Sequence, residues 1–179
     1  MSDCQLDRSS NSDIKINNFI SDIVNVISRI TKQCTLRLTS DELCFSVSVD
    51  RTSMVWAELA QTHFFTEYIM NGVTEEQNEI YLEFDPTMLA KSLGSLRMTA
   101  KSVKIKLTNK RQPCLTIEIE LPSLSLESRQ CLHDVPVRVI PRREWTEHQA
   151  PNIPEFDVRT ILIICCFTHK NYPLTVASF

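Results

Sequence analysis

Histidine, cysteine and carboxylate side chains are the groups in this sequence that could do chemistry, and their spacing argues against a catalytic or metal site. The four histidines lie far apart, and none has metal-ligand spacing relative to a cysteine or to another histidine. They are His63, His133, His148 and His169. The seven cysteines contain no C-x-x-C pair, and the sequence has no G-x-S-x-G elbow. We therefore expect no enzymatic activity, no metal site, no cofactor and no small-molecule substrate.

Composition limits the remaining function classes. Two glycines in 179 residues argue against the Gly-rich loops that bind phosphates and dinucleotides, because those loops need a close backbone approach. The formal net charge of −3 means that any DNA contact needs a local basic patch. An odd number of scattered cysteines indicates reduced thiols, as in the cytosol or nucleus. The apolar run Ile161–Phe167 is too short to span a bilayer, so we expect no membrane association.

A β-hairpin over Ser102–Leu121 is the clearest structural signal. Apolar and polar residues alternate in both arms, which predicts two half-buried strands joined by a polar loop. Pairing Leu107 with Leu115 places the apolar side chains of both arms on one face and Lys104 opposite Glu118 on the other. A slip of one residue would bury the lysines, so we expect this register to be well specified.

Two helices and several further strands are predicted around the hairpin. Apolar residues spaced by three and four predict a helix over about Asn17–Gln33, and Asp85 and Pro86 predict the cap and first turn of another, about Thr87–Leu96. The apolar stripe of the first helix is Ile16, Phe19, Ile20, Ile23, Val26, Ile27 and Ile30. The predicted strands are Cys34–Leu38, Leu43–Val49, Ser53–Leu59, Phe64–Met70, Glu79–Asp85 and Leu132–Ile140. A proline inside the last strand, Pro136, indicates a sheet edge. Without regular β–α alternation, the pattern predicts an α+β domain with antiparallel sheets and two helices on one face.

Several motifs together resemble one protein family. They are TKQCTLRLTSDELCF, NEIYLEFDPTMLAKSL, VKIKLTNK, PCLTIEIEL and HDVPVRVIPRREW. Over about Asn18–Val158 the chain is similar to the Hus-type subunit of the nine-one-one checkpoint clamp. The resemblance implies a PCNA-like DNA clamp fold, in which a subunit has two similar domains joined by a connecting loop. It also implies that three different subunits close a ring around DNA, without catalytic activity.

This resemblance predicts a division of the chain into four parts. We expect a flexible N-terminal tail at residues 1–15, clamp domain one at 16–140, an interdomain connecting loop at 141–157, and a divergent tail replacing domain two at 158–179. The polar segment Leu6–Asp13 differs from the apolar strand with which the family begins, so we expect that strand to be missing. The sequence after Val158 also departs from the family, as in an alternative product or a truncated gene model.

The function that the resemblance implies is that of a non-catalytic subunit, or a truncated form of one, in the heterotrimeric DNA damage checkpoint clamp. Such a clamp encircles DNA and supports checkpoint signalling and repair, in the nucleus and also the cytoplasm. The expected partners are the other two clamp subunits, the clamp loader, and double-stranded DNA bound weakly and without sequence specificity. The alternative is a stand-alone interaction module that binds one clamp subunit and does not close a ring.

The resemblance also assigns candidate residues to three surfaces. Clamp helices line the hole with basic residues that contact phosphates, although an ordinary solvated helix face would carry similar residues. The DNA-facing candidates are Arg29, Lys32, Lys91, Arg97 and Lys101. Clamp subunits join by pairing edge strands, and the candidates for that role are Val135, Val137 and Val139. The candidates for a hydrophobic pocket that receives peptide motifs are Val47, Ile140 and Trp145.

Overall fold

The computed structural model describes residues 3–9, 14–48, 53–71, 78–94, 100–121, 129–149 and 176–178. Side chains are described in 20–48, 54–62, 64–71, 78–94, 100–121 and 129–149. Within these ranges ten strands form one sheet, and two α-helices pack on one of its faces. We call this the helical face and the opposite one the outer face. No helix in the described ranges is long and apolar enough to cross a membrane.

The elements follow one another with short connections in most places. The first half of the chain contributes β1 (Asp3–Ser9), α1 (Ile14–Ile30), β2 (Cys34–Leu38), β3 (Glu42–Ser48), β4 (Ser53–Ala60) and β5 (Glu67–Asn71). The second half contributes β6 (Ile80–Phe84), α2 (Pro86–Gly94), β7 (Ser102–Asn109), β8 (Pro113–Leu121), β9 (Arg129–Val139) and β10 (Val176–Ser178). Two 3₁₀ segments, Gln61–His63 and Arg142–His148, complete the described structure. The strand order is β10-β4-β3-β2-β6-β9-β8-β7-β1-β5, and all neighbours are antiparallel.

The predicted hairpin and its register are confirmed. Leu107 is opposite Leu115 and Lys104 is opposite Glu118, as the alternation requires. On the solvent-exposed face the Lys106 ammonium lies 3.0 Å from the Glu118 carboxylate. This ion pair is diagonal, because the residue directly opposite Glu118 is Lys104. In the apolar row of β8, Leu115, Ile117 and Ile119 are buried in the main core, and Leu121 packs partly buried against it. The register is therefore fixed by burial on one face and by charge pairing on the other.

The first helix is confirmed, but its buried arc is narrower than the predicted stripe. Residues Ile20, Ile23, Val24 and Ile27 are buried in the main core. By contrast, Val26 and Ile30 keep 51% and 45% of their surface exposed. At about 100° per residue, Val24 lies within the core-facing arc whereas Val26 lies well to one side of it. The helix begins at Ile14, three residues earlier than predicted.

The second helix starts as the sequence predicts. The Asp85 carboxylate accepts a hydrogen bond of 2.8 Å from the backbone N–H of Thr87, and Pro86 occupies the first helical position. The helix buries Leu89, Ala90 and Leu93 in the main core and packs beside α1. The cap therefore fixes where α2 begins, and its apolar side fixes which face it covers.

The expected N-terminal tail is wrong for Asp3–Ser9, which form β1. This strand lies between β5 and β7 and pairs with both. The prediction failed because it relied on apolar alternation, whereas a strand between two others is held largely by backbone hydrogen bonds that any residue except proline can make. The first strand of the fold is therefore present in this chain.

The final strand lies in the segment that we expected to be a divergent tail. Residues Val176–Ser178 pair with Ser53–Val55 of β4, at the opposite end of the sheet from β5. Residues 150–175 lie outside the described ranges, so most of the predicted connecting loop and tail fall there.

Candidate nucleic-acid and partner interfaces

Three of the predicted DNA-facing cations are exposed on the two helices or immediately after one of them. Arg29 is in the last turn of α1, Lys32 follows two residues after that helix ends, and Lys91 is in the last turn of α2. Since α1 and α2 pack side by side, their solvent-facing sides form one surface, which we call the helix surface. The structure therefore brings Arg29, Lys32 and Lys91 to one face of the domain.

The helix surface is only weakly basic. It also exposes the acidic side chain of Asp22 and three apolar side chains, Val26, Ile30 and Met88, which are 42–51% exposed. The cations lie at or beyond helix C-termini, where they complement the negative end of the helix dipole whatever else they bind. Such a surface can contact phosphates through a few point charges, and phosphate contacts do not distinguish sequences.

The other two DNA-facing candidates are not part of this surface. Lys101 is directed to the outer face, where its ammonium lies 2.9 Å from Glu120. Glu120 belongs to the polar row of β8, which points away from the helices because Ile117 and Ile119 point toward them. The DNA-facing assignment of Lys101 is therefore wrong. Arg97 lies outside the described residues.

The strand β9 is an interior strand along part of its length. Residues Val137–Val139 pair with Leu82–Phe84 of β6, while Arg129–Pro136 pair with Cys114–Leu121 of β8. The side chains of Val135 and Val137 are buried in the main core. The assignment of Val137 and Val139 to a free edge is therefore wrong, because both pair with β6. Val135 lies in the part of β9 that pairs with β8 alone, and its side chain is buried.

An open edge remains along the N-terminal part of β9. The N–H of Ile140 donates to the Tyr81 carbonyl of β6 at 2.9 Å, and in an extended strand every second N–H points the same way. By this alternation, the N–H groups of Leu132 and Asp134 face the side opposite β8, where no described strand pairs with them. Pro136 falls in the same series, so its missing N–H does not interrupt the β8 ladder.

Leu132 is the most exposed large apolar side chain in the described ranges. It is 59% exposed and lies on the outer face, opposite Glu118 of β8. An exposed leucine beside unpaired backbone groups is the combination that strand addition uses, since the backbone supplies affinity and the side chain supplies selectivity. The predicted edge is thus retained, but it lies along residues 129–136.

The predicted pocket residues separate into two groups. Ile140 and Trp145 lie together with Tyr81 in a small buried cluster that is distinct from the main core. Val47 lies in the main core because it shares the alternation of Leu43 and Phe45, which face the helices. The assignment of Val47 to the pocket is therefore wrong.

The segment Arg142–His148, which we call the strap, crosses the outer face over three strands. The Glu144 carboxylate lies 3.0 Å from the Arg138 guanidinium of β9. The Trp145 ring lies 4.9 Å from the Tyr81 ring of β6, between centroids, and its Nε1 donates to the Ile140 carbonyl at 2.9 Å. The Nδ1 atom of His148 lies 3.2 Å from the Thr35 hydroxyl of β2. These contacts hold the start of the predicted connecting loop against the sheet.

Ion pairs surround the strap and the small cluster. Arg138 also binds Glu83 with two hydrogen bonds of 3.1 and 2.9 Å, and these bonds hold the pKa of the Glu83 carboxyl below its usual range. Hydrogen bonding to Arg138 likewise lowers the pKa of Glu144. Within the cluster, burial raises the pKa of Tyr81 to about 12, so its hydroxyl stays protonated near neutral pH.

The thiols of Cys34 and Cys44 are buried within the sheet. Burial raises the pKa of both Cys34 and Cys44 to about 12, so each remains a protonated thiol near neutral pH. Within the described residues, no group of three or more His, Cys, Asp or Glu side chains could hold a metal ion.

Sequence reasoning missed the Tyr81 contact and the role of Arg138. One signal was available, because the alternation that turns Ile80, Leu82 and Phe84 inward must turn Tyr81 and Glu83 outward. A tyrosine pointing away from the core needs a second covering element, and Trp145 is the nearest downstream tryptophan. The partner could not be identified from spacing alone.

The sequence of this chain is similar to those of known proteins from one family. The family described as Hus1-like protein matches residues 10–170. The chain is 44% identical over 149 residues to checkpoint protein HUS1 of Homo sapiens, covering 81% of this chain and 52% of that protein. It is 33% identical over 138 residues to checkpoint protein Hus1-like of Drosophila melanogaster, covering 74% of this chain and 50% of that protein. The chain spans about half the length of the curated relatives it matches.

A solved structure supports the fold. The crystal structure of PCNA from Thermococcus kodakaraensis superposes with a TM-score of 0.50 at 14% identity, over 88% of this chain and 51% of that one. At this identity the likeness concerns the fold alone, and it confirms the predicted α+β, PCNA-like clamp domain. Together with the family match and the identity to the human and fly proteins, it leads to one assignment: this chain is a member of the Hus1-like protein family.

Proposed function

We propose that this chain acts as part of a non-catalytic subunit of the heterotrimeric DNA damage checkpoint clamp, in the nucleus and also the cytoplasm. The observation that carries the proposal is that a Hus1-like chain has two separate surfaces suited to binding. These are the helix surface and the open edge of β9. The chain performs no reaction. Its role is to help encircle DNA and to support checkpoint signalling and repair.

The helix surface serves as the DNA-contacting side. Arg29, Lys32 and Lys91 supply positive charge to phosphates, and phosphate contacts of this kind carry no sequence information. Three cations beside an exposed Asp22 give a weak and salt-sensitive attraction, because affinity depends on how many phosphates are neutralised. In a ring, topology rather than affinity keeps the subunit on the DNA.

The open edge of β9 serves as the contact with a neighbouring clamp subunit. An incoming strand would pair with the N–H and C=O groups of residues 129–136 that face away from β8, and Leu132 would provide an apolar contact. Edge pairing of this kind is short, so the binary complex should be of modest affinity. The clamp loader is proposed as a further partner on the strength of the family alone.

A sizing experiment tests the assembly role. The purified chain is mixed with each of the other two clamp subunits, and then with both, and the masses are measured by size exclusion with light scattering. We expect a complex with at least one subunit at equal stoichiometry. If no mixture gives a complex, the proposal is wrong. A binary complex that never yields a heterotrimer would favour the alternative, a stand-alone module that binds one clamp subunit.

A further inference from the structure

The ten-stranded sheet is joined at its centre by a short junction. Three residue pairs connect Leu82–Phe84 of β6 with Val137–Val139 of β9, and the bond from Ile140 N–H to the Tyr81 carbonyl extends them by one step. We call this junction the seam. On one side lie β2, β3, β4, β6 and β10, and on the other lie β1, β5, β7, β8 and β9. A seam of this length gives the two half-sheets few backbone hydrogen bonds in common.

The strap contacts both sides of the seam from the outer face. The Arg138 guanidinium of β9 binds Glu83 of β6 and Glu144 of the strap at once. Trp145 packs on Tyr81, which belongs to β6, and donates its Nε1–H to the Ile140 carbonyl, immediately after β9. The indole of Trp145 therefore bridges the two half-sheets directly.

The cluster of Tyr81, Ile140 and Trp145 is separate from the main core. It lies on the outer face, whereas the main core lies between the sheet and the helices. Because the two clusters share no buried residue, losing the Trp145 ring opens the seam from outside and leaves the packing under the helices in place. Among the residues of the strap, Trp145 alone is buried.

We propose that Trp145 is a positioning residue that sets the orientation of the open edge of β9 relative to the half-sheet on the far side of the seam. The open edge is the N-terminal part of the same strand whose C-terminal part forms the seam. When Trp145 holds the seam, the open edge of β9 has one orientation. Binding of a partner strand then carries no entropy cost for ordering that edge. The partner-binding half of this inference rests on the proposed function, whereas the role of Trp145 at the seam does not.

Hydrogen exchange in the full 179-residue chain tests the seam. Backbone amides of β6 and of residues 137–140 should exchange about tenfold faster in Trp145→Ala, because local opening there becomes easier. Amides of β3 and β7 should keep their wild-type rates. Trp145→Phe is the rescue variant: it keeps a smaller aromatic ring for Tyr81, loses the Nε1 donor, and should stay within about threefold of wild type.

Affinity for the clamp subunit that binds the wild-type chain supplies the second readout. We expect Trp145→Ala to weaken that binding about tenfold through lost preorganisation, and Trp145→Phe to restore most of it. If Trp145→Ala does not fold, Glu144→Gln replaces it, since that change removes the negative charge that pairs the strap with Arg138 and keeps the indole. A smaller acceleration, again confined to the seam, is then expected.

Three results would overturn the proposal. They are unchanged exchange at the seam, acceleration spread evenly over the chain, and unchanged partner affinity in a variant whose seam exchanges faster. Even acceleration would mean that Trp145 contributes only general stability. If no clamp subunit binds the wild-type chain, the proposed function fails, and the exchange pattern still decides whether Trp145 holds the seam.

Discussion

At the scale of single residues, Lys32 and Lys91 allow the helix surface to be tested. Both side chains are exposed: Lys32 follows α1, and Lys91 lies in the last turn of α2. Changing both to glutamate replaces two cations with two anions. We expect weaker binding to short duplex DNA, with the slope of log affinity against log salt reduced by roughly 2, since each neutralised phosphate contributes about 0.9. Fluorescence anisotropy across a salt series measures both quantities.

The control for this prediction is a double variant with the same change in net charge, made at two arginines away from the helix surface. Arg111 lies at the tip of the β7–β8 hairpin and Arg142 lies in the strap, and both are exposed away from the helices. Arg111→Glu with Arg142→Glu should leave the salt slope unchanged. If this control reduces the slope as much as the lysine pair does, the attraction comes from net charge and not from the helix surface.

Residues differ in how far their positions follow from the sequence. Lys104 and Glu118 were predictable because they belong to two arms joined by a short loop, and burial of the alternate residues fixes their register. The direction of the Lys101 side chain was not predictable, because it precedes the strand and could turn toward either face of the sheet. Its ion-pair partner, Glu120, fixes it on the outer face. Trp145 and Tyr81 come together only through the tertiary fold.

At the scale of elements, the N–H directions in β9 give a matched pair of proline substitutions. Leu132→Pro removes an N–H that faces the open edge, whereas His133→Pro removes one that faces β8. We expect Leu132→Pro to fold with nearly wild-type stability and to lose the binary complex in the sizing experiment. His133→Pro should lose roughly 1–3 kcal/mol of stability, because a carbonyl of β8 is left without its donor.

Leu132→Ala separates the backbone from the side chain in this test. It keeps the N–H at the open edge and removes most of the exposed apolar surface, so a partial loss of binding is expected. Chemical denaturation of all three variants measures stability. Equal destabilisation by the two prolines would show that the edge at Leu132 is already paired within the molecule.

Elements whose partners are close in sequence were predicted well, and those with distant partners were not. The β7–β8 hairpin and the capped start of α2 follow from local patterns, namely strict alternation and the Asp85–Pro86 pair. The strand β1 has no apolar pattern, and its place is decided by β5 and β7, which lie far along the chain. Local sequence cannot show which backbone groups are available that far away.

At the scale of the whole molecule, deletions at the two ends of the chain should have unequal effects. Removing residues 1–10 takes away β1, which is interior in the sheet, and thereby disconnects β5. We expect the melting temperature to fall on the order of 10 °C, because several kcal/mol are lost and each lowers it by about 2–4 °C in a domain of this size. Thermal unfolding followed by circular dichroism measures the change.

Removal of residues 176–179 is the matched deletion. It takes away β10, which pairs with only three residues at the end of the sheet, so the melting temperature should fall by only a few degrees, about 2–4 °C for each kcal/mol lost. A small and equal effect of both deletions would contradict the interior position of β1.

The order in which the chain is synthesised makes the position of β1 a kinetic problem. The strand β1 is synthesised before both of its partners, because Glu67–Asn71 and Ser102–Lys106 lie later in the chain. At about 5–20 residues per second, β1 waits several seconds to tens of seconds for those strands. Contacts so distant in sequence also slow folding itself. During that interval the backbone groups of β1 have no partner strand and are open to other nascent chains, so yields in cells should depend on chaperones that act during translation.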